Sequence, residues 1–88
     1  MKITFHDSFE KAYAKRIKNN PKLVAKSLER IKLFQIEPRN PILRDHSLSG
    51  VKTGFRAFSV TGNYRVVYKP ISDTESILVD IGTHNQVY

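Results

Sequence analysis

The sequence GFRAFSVTGNYRVVYKPISDTESILVDI, residues 54–81, decides the fold because it predicts three β-strands joined by two short turns. The predicted strands are Gly54–Val60, Asn63–Lys69 and Ser76–Ile81, and each is rich in the β-branched and aromatic residues that favour strands. The dipeptide Thr61-Gly62 forms the first turn, and the segment Pro70–Thr74 forms the second. Consecutive strands with such short connections predict an antiparallel meander.

The residues before the meander predict a strand and a helix. Lys2–Phe5 alternates polar and apolar side chains, as a short strand does. Asp7, followed three residues later by Glu10, resembles a capping box, so we expect a helix from there to about Lys18. Its apolar side is formed by Phe9, Ala12, Tyr13 and Ile17.

A second helix is expected to start at Pro21, because Asn20 can cap it and proline suits the first helical position. It should end near Gln35 and bury four apolar side chains, Val24, Leu28, Ile31 and Phe34. Residues 37–52, interrupted by prolines and Gly50, predict a long loop without regular structure. The order βααβββ predicts a single α+β domain over residues 1–88, with a helical hairpin packed on a mostly antiparallel, twisted sheet.

Composition excludes several classes of function. The chain has no cysteine, which removes disulfides and thiolate chemistry, and no stretch long and apolar enough for a membrane span. We therefore expect a soluble cytoplasmic protein. The three histidines are far apart in sequence and no carboxylates are clustered, so we predict neither a metal site nor a cofactor.

The net charge of +7 and a pI near 9.9 favour an anionic partner. The cations are concentrated near the meander: residues 39–69 contain six cations and only one acid, Asp45, and aromatic residues lie between the cations. Cations interleaved with stacking surfaces favour RNA, although a solvated charged face of a sheet would have the same composition. The six cations are Arg39, Arg44, Lys52, Arg56, Arg65 and Lys69.

Two histidines flank the meander and are the candidates for proton transfer. His46 lies in DHSLSG, residues 45–50, and His84 lies in GTHNQVY, residues 82–88. Imidazole titrates near neutral pH, so two such groups on one face can act as general base and general acid, while each alone could be an ordinary surface residue. Strand alternation puts Arg65 on one side of its strand and would allow it to meet Arg56 over a phosphate. The alternative for either arginine is an ion pair with Asp80 or Glu75.

Four stretches, taken in order, resemble the RelE/ParE toxin superfamily: DHSLSG (45–50), GFR (54–56), YRVVYK (64–69) and IGTH (81–84). The resemblance spans nearly the whole chain and is closest to the RelE-like and YafQ-like branch of type II toxin–antitoxin systems. It implies the same βααβββ layout, in some members with a final short helix. It also implies an endoribonuclease that cuts messenger RNA, often on the ribosome, and a cognate antitoxin protein as partner.

The resemblance also implies roles for individual residues. His84 would be the principal acid–base group and His46 the second proton-transfer or phosphate-contacting group. Arg65 would neutralise the scissile phosphate, and Tyr88 would stack on a base or position the substrate. Cleavage would proceed without a metal, by attack of the ribose 2′-hydroxyl on the adjacent phosphate.

Four further residues are expected to bind substrate less directly. Lys52 and Arg56 are looser candidates for phosphate contacts. Ser59 and Asn63 stand where the YafQ-like pattern has a histidine and an aspartate, and they can hydrogen-bond but do not exchange protons near pH 7. Two alternatives stay open: a ParE-like poison of DNA gyrase, and a catalytically inactive module that binds the antitoxin.

Overall fold

The computed structural model describes residues 1–88, which form a five-stranded sheet, two long helices and one short C-terminal helix. The strands follow the spatial order β1-β5-β4-β3-β2, in which β1 pairs with β5 in parallel and the other neighbours are antiparallel. This confirms the predicted α+β architecture. The elements are β1 (Lys2–Phe5), α1 (Asp7–Arg16), α2 (Pro21–Ile36), β2 (His46–Ser47), β3 (Arg56–Ser59), β4 (Tyr64–Ser72), β5 (Glu75–Thr83) and α3 (His84–Val87).

The hairpin of β4 and β5 is longer than the sequence predicted. β4 continues past Pro70 to Ser72, and β5 begins at Glu75, so only Asp73 and Thr74 form the turn. The residues from Lys69 to Thr74 are exposed, because β3 is too short to cover this end of the hairpin. Their polar composition therefore indicated a loop, although they are part of a solvated hairpin.

The start of each long helix is fixed by a side chain that accepts a backbone hydrogen bond. α2 begins as predicted: Asn20 accepts a hydrogen bond from the N–H of Leu23, and Pro21 occupies the first turn. In α1 the cap is His6 and not Asp7, because Nδ1 of His6 accepts a hydrogen bond from the N–H of Ser8 at 3.1 Å. The predicted aspartate cap was thus wrong by one residue.

The buried face of α2 differs from the predicted one. The helix buries Ser27, Arg30 and Phe34, whereas Leu28 is 58% exposed. Of the other predicted positions, Phe34 is buried as expected, and Val24 and Ile31 are partly buried against the same core. The prediction that Leu28 is buried was therefore wrong.

Residues 37–52 are more ordered than a structureless loop. Leu43, in a short 3-10 turn at Pro41–Leu43, is fully buried and anchors the segment in the core. The two-residue strand β2 then pairs with β3, and a second 3-10 turn follows at Gly50–Lys52. Elements of two or three residues are too short to produce a recognisable period in the sequence.

The two faces of the sheet are covered unequally. On the helix side, the ring of Phe34 packs against Phe58 and Tyr68 with both centroid distances at 4.6 Å. The other face has a much smaller apolar cluster around Val67 and Val87, in which α3 provides the cover. Leu48 and Phe55 pack against the same cluster. We call this side of the sheet, opposite Phe34, the open face. None of the helices combines the length and hydrophobicity that a membrane span requires.

Candidate active site

Tyr88 lies between the two histidines that the sequence singled out. Its hydroxyl is 3.2 Å from Nε2 of His46, and its ring meets that of His84 edge-on at a centroid distance of 4.5 Å. The fold therefore brings His46, from β2, and His84, from the start of α3, around one aromatic residue.

The hydrogen bonds of His46 determine which nitrogen carries its proton when the ring is neutral. Nδ1 is 3.0 Å from the carbonyl oxygen of Arg44, which can only accept, so Nδ1 is the protonated nitrogen. Nε2 then has the lone pair and accepts a hydrogen bond from the Tyr88 hydroxyl. The one basic nitrogen of His46 is thus already engaged by the phenol.

His84 is held differently. Its backbone N–H donates to the carbonyl of Asn63 at 3.0 Å, but its exposed imidazole makes no hydrogen bond within the chain. Both ring nitrogens are therefore available to a substrate. In proton transfer, this makes His84 the less constrained of the two histidines.

The short helix α3 fixes the positions of His84 and Tyr88. Val87 is buried against the sheet, and Oε1 of Gln86 accepts a hydrogen bond from the N–H of Thr83 at 2.8 Å. Gly82 allows this arrangement, since a Cβ there would lie 2.7 Å from Oε1 of Gln86. The Gly-Thr-His stretch is therefore shaped by close packing as well as by chemistry.

Arg65 lies next to this cluster, on β4. Its Nη1 donates to the carbonyls of Thr61, Gly62 and Tyr64 at 2.9, 3.1 and 3.2 Å, so the turn before β4 fixes the guanidinium. Burial raises the pKa of the Tyr88 phenol, and the nearby positive charge of Arg65 partly opposes that rise. Arg65 thus brings a fixed positive charge close to Tyr88.

Arg56 does not meet Arg65. Arg56 pairs with Tyr68 and Arg65 pairs with Ser59, and positions three apart on a strand point to opposite faces. Nε of Arg56 donates to Oδ1 of Asp45 at 3.2 Å, on the helix side of the sheet. The expectation that the two arginines converge on one phosphate was therefore wrong, and so was the alternative that Arg56 pairs with a β5 acid.

The three other predicted substrate-binding residues have different environments. Lys52 lines a cavity of about 510 Å³ together with His46 and Tyr88, so it belongs to the cluster. Asn63 is exposed and adjoins His84 through their backbone hydrogen bond. Ser59 is only 6% exposed and presents little surface to a substrate.

A larger groove of about 660 Å³ adjoins this cavity, and Val51 and Lys52 line both. Its floor is apolar and includes Phe55, Val67 and Val79 of the open sheet face, while α1 forms one basic wall. The wall residues are Lys11, Lys15 and Arg16, of which Arg16 is paired with Asp80 at 3.0 Å. Sequence reasoning missed this wall: the i, i+4 spacing of the two lysines puts them on one helix face, but does not reveal that this face borders the sheet.

No group of three or more histidine, aspartate or glutamate side chains converges in a way that could hold a metal ion. His6, the third histidine, caps α1 and lies at the rim of the groove. The groups that the cluster presents are two imidazoles, one phenol and the guanidinium of Arg65.

Residues 1–88 match the sequence profile that describes YafQ, a bacterial toxin of type II toxin–antitoxin systems. The chain belongs to the YafQ toxin family. No curated protein matches it significantly.

Solved structures of related toxins have the same fold as this YafQ-family chain. YafQ from E. coli is 22% identical, with a TM-score of 0.76 over 99% of this chain and 97% of that one. A copper-bound mutant toxin from Helicobacter pylori is 26% identical, with a TM-score of 0.72 over 100% and 99%. The YoeB–YefM complex from Staphylococcus aureus is 24% identical, with a TM-score of 0.73 over 96% and 97%.

Proposed function

We propose that this YafQ-family toxin is an endoribonuclease that cleaves messenger RNA on the ribosome, without a metal ion, by attack of the ribose 2′-hydroxyl on the adjacent phosphate. The observation that carries the proposal is the arrangement of His46 and His84 around Tyr88. Two imidazole groups, next to a fixed guanidinium, supply the proton-transfer and charge-stabilising groups that this reaction needs.

In the proposed reaction, His84 is the general base. Its unengaged imidazole takes the proton of the 2′-hydroxyl, and the resulting oxygen attacks phosphorus. The bond from phosphorus to the 5′-oxygen then breaks. In protonated His46, Nε2 bears a proton and no longer accepts from the Tyr88 hydroxyl, and it donates this proton to the 5′-oxygen. The products are a 2′,3′-cyclic phosphate and a free 5′-hydroxyl. Each proton transfer supplies a rate gain of about 10²- to 10⁴-fold.

Arg65 stabilises the extra negative charge of the pentacoordinate transition state. The hydrogen bonds of its Nη1 to the turn carbonyls fix the guanidinium before substrate arrives, so little reorganisation is needed. Lys52 contacts a neighbouring phosphate from the shared wall of the two cavities. Tyr88 positions the substrate between the histidines.

The groove between α1 and the open sheet face accommodates the RNA strand. Its apolar floor includes Phe55, an aromatic surface on which a base can stack, and its walls provide Lys11, Lys15 and Lys52 for the phosphates. The same cationic groove suits an acidic segment of an antitoxin that folds as it binds. The structure of YoeB with YefM supports an antitoxin as the partner of this chain.

The deciding experiment maps RNA cut sites and end groups with purified toxin, in the presence and absence of ribosomes, for the wild type and His84→Ala. We expect cuts that leave a 2′,3′-cyclic or 3′-phosphate, stronger with ribosomes and lost in the variant. A parallel DNA gyrase cleavage assay separates the alternative mechanism: trapped gyrase–DNA complexes with intact RNA would refute the nuclease assignment. Inactivity of the wild type in both assays would favour the inactive antitoxin-binding module.

A further inference from the structure

A second cationic cavity lies next to the edge strand β2. It has a volume of about 270 Å³, and its lining includes Arg39, Arg44 and Arg56. We call this cavity the arginine pocket. Its other lining residues are prolines, Asn40 and one acid, Asp45. Because Arg56 lies on the helix-side face of β3, this pocket is separate from the groove on the open face.

The single acid in the pocket is already engaged. Oδ1 of Asp45 accepts a hydrogen bond from Nε of Arg56 at 3.2 Å, and Oδ2 accepts one from the hydroxyl of Tyr68 at 2.7 Å. Neither Arg39 nor Arg44 forms an ion pair with any acid of the chain. The pocket therefore retains an uncompensated positive charge from two exposed arginines.

The backbone of Arg44 connects this pocket to the histidine cluster. Arg44 has φ 49° and ψ 40°, a left-handed conformation that is uncommon for residues other than glycine and asparagine. Its N–H donates to the carbonyl of Pro41 at 3.1 Å, and its own carbonyl accepts from Nδ1 of His46 at 3.0 Å. One residue thus lines the pocket with its side chain and positions His46 with its carbonyl.

We propose that the arginine pocket binds a backbone phosphate of the RNA, outside the nucleotides at the cleavage site. This rests on the proposed function, since it takes RNA as the ligand. Guanidinium groups form paired hydrogen bonds with phosphate oxygens. The pocket lacks the aromatic side chains that would hold a base. An RNA chain that extends from His46 needs to cross only the two-residue edge strand β2 to reach the arginine pocket.

The test measures RNA affinity and not cleavage. The variant is Arg39→Gln with Arg44→Asn, in which asparagine tolerates the left-handed backbone. The matched control is Lys18→Gln with Lys22→Gln, which removes the same charge from exposed positions that line neither the groove nor the pocket. The probe is a labelled single-stranded 2′-O-methyl RNA of about 15 nucleotides, which keeps every phosphate but has no free 2′-hydroxyl for attack.

The logarithm of the RNA association constant falls linearly with the logarithm of the salt concentration. Loss of one phosphate interaction should make this slope less steep by about 0.7 and should weaken binding about fivefold at 0.1 M salt. We expect this effect in the arginine variant, a smaller one in Arg39→Gln alone and little change in the lysine control. Circular dichroism verifies that every variant is folded.

Three results would overturn the proposal: an unchanged slope in the arginine variant, an equal effect in the lysine control, or unchanged RNA binding with weakened binding of the cognate antitoxin. The last would assign the pocket to a protein partner. The probe cannot be cut by 2′-hydroxyl attack, so its binding also separates this proposal from the proposed function. If the wild-type protein fails to cleave RNA but its salt dependence of RNA binding changes in the arginine variant, the proposed nuclease activity is refuted and the phosphate site in the arginine pocket is supported.

Discussion

The Tyr88 hydroxyl donates a hydrogen bond to Nε2 of His46, so one phenol connects the C-terminal helix to the edge strand. Tyr88→Phe removes this bond but keeps the ring against His84. Since a hydrogen bond of this kind contributes about 0.5–1.5 kcal/mol, we expect at most about a tenfold loss in the rate of RNA cleavage. Tyr88→Ala also removes the ring and should lose more, measured as single-turnover rates on one RNA substrate. Equal rates for the two variants would contradict a positioning role for the ring.

Replacement of His84 by alanine should strongly reduce cleavage. It should leave the fold intact, because the imidazole is exposed and makes no hydrogen bond within the chain. The expected loss in rate is about 10²- to 10⁴-fold, the usual contribution of a general base. His6→Asn is the matched control: it removes a histidine at the groove rim while retaining a residue that caps α1 well. Similar losses in the two variants would refute the specific assignment to His84.

Substitution of Gly82 by alanine tests whether α3 must pack closely for activity. The added methyl group would displace Oε1 of Gln86, which lies 2.7 Å from the position of that Cβ, and would crowd the guanidinium of Arg16 at 2.9 Å. Both side-chain ends can move away, but Gln86 would lose its hydrogen bond to Thr83 and Arg16 its bond to the Ile81 carbonyl, so we expect a loss of about 1 kcal/mol in the free energy of unfolding. Cleavage should fall as well, because α3 positions both His84 and Tyr88. Full activity at unchanged thermal stability would show that the helix tolerates the methyl group.

The pairing of Tyr68 with Asp45 predicts a pH dependence of stability. Burial and the Asp45 carboxylate raise the pKa of the Tyr68 phenol in the folded chain. A raised pKa stabilises the fold fully below the unfolded value of about 10, and this stabilisation falls as the pH rises above it, by up to about 1.4 kcal/mol per pH unit.

Tyr68→Phe should therefore be less stable than the wild type near pH 8, because Asp45 loses a donor, by about 1–3 kcal/mol. The difference between the two proteins should shrink between pH 10 and 11. Urea unfolding at several pH values measures it, and Tyr88 cancels in the comparison because both proteins retain it. A difference that stays constant to pH 11 would contradict the raised pKa of Tyr68.

The meander of β3, β4 and β5 was predictable because its strands have consistent local signals: β-branched or aromatic residues in each strand and a glycine turn between β3 and β4. The buried face of α2 was not predictable in the same way, since Arg30 occupies a core position. There its Nη1 donates to the carbonyls of Ile42 and Ser59. A buried cation whose partners are carbonyls of distant segments leaves no periodic signal in the sequence.

For the candidate site, the sequence identified both histidines but not the contact between them through Tyr88. That contact depends on how α3 turns back onto the sheet, which Gly82 permits. The position of Arg56 was missed for a different reason. Alternation along one strand predicts which of its residues share a face, but only the register with β4 shows which face that is.

The parallel pairing of β1 with β5 has a consequence for the order of folding. Lys2 pairs with Glu75, so β1 leaves the ribosome before the other four strands of the sheet but must wait for β5, the last of them, before it can join the sheet. Until then α1 has no β5 to pack against, and such long-range closure is slow. Nascent chains that end before β5 therefore lack the groove between α1 and the open face. During its own synthesis, the chain cannot present that groove to RNA until β5 has emerged and paired.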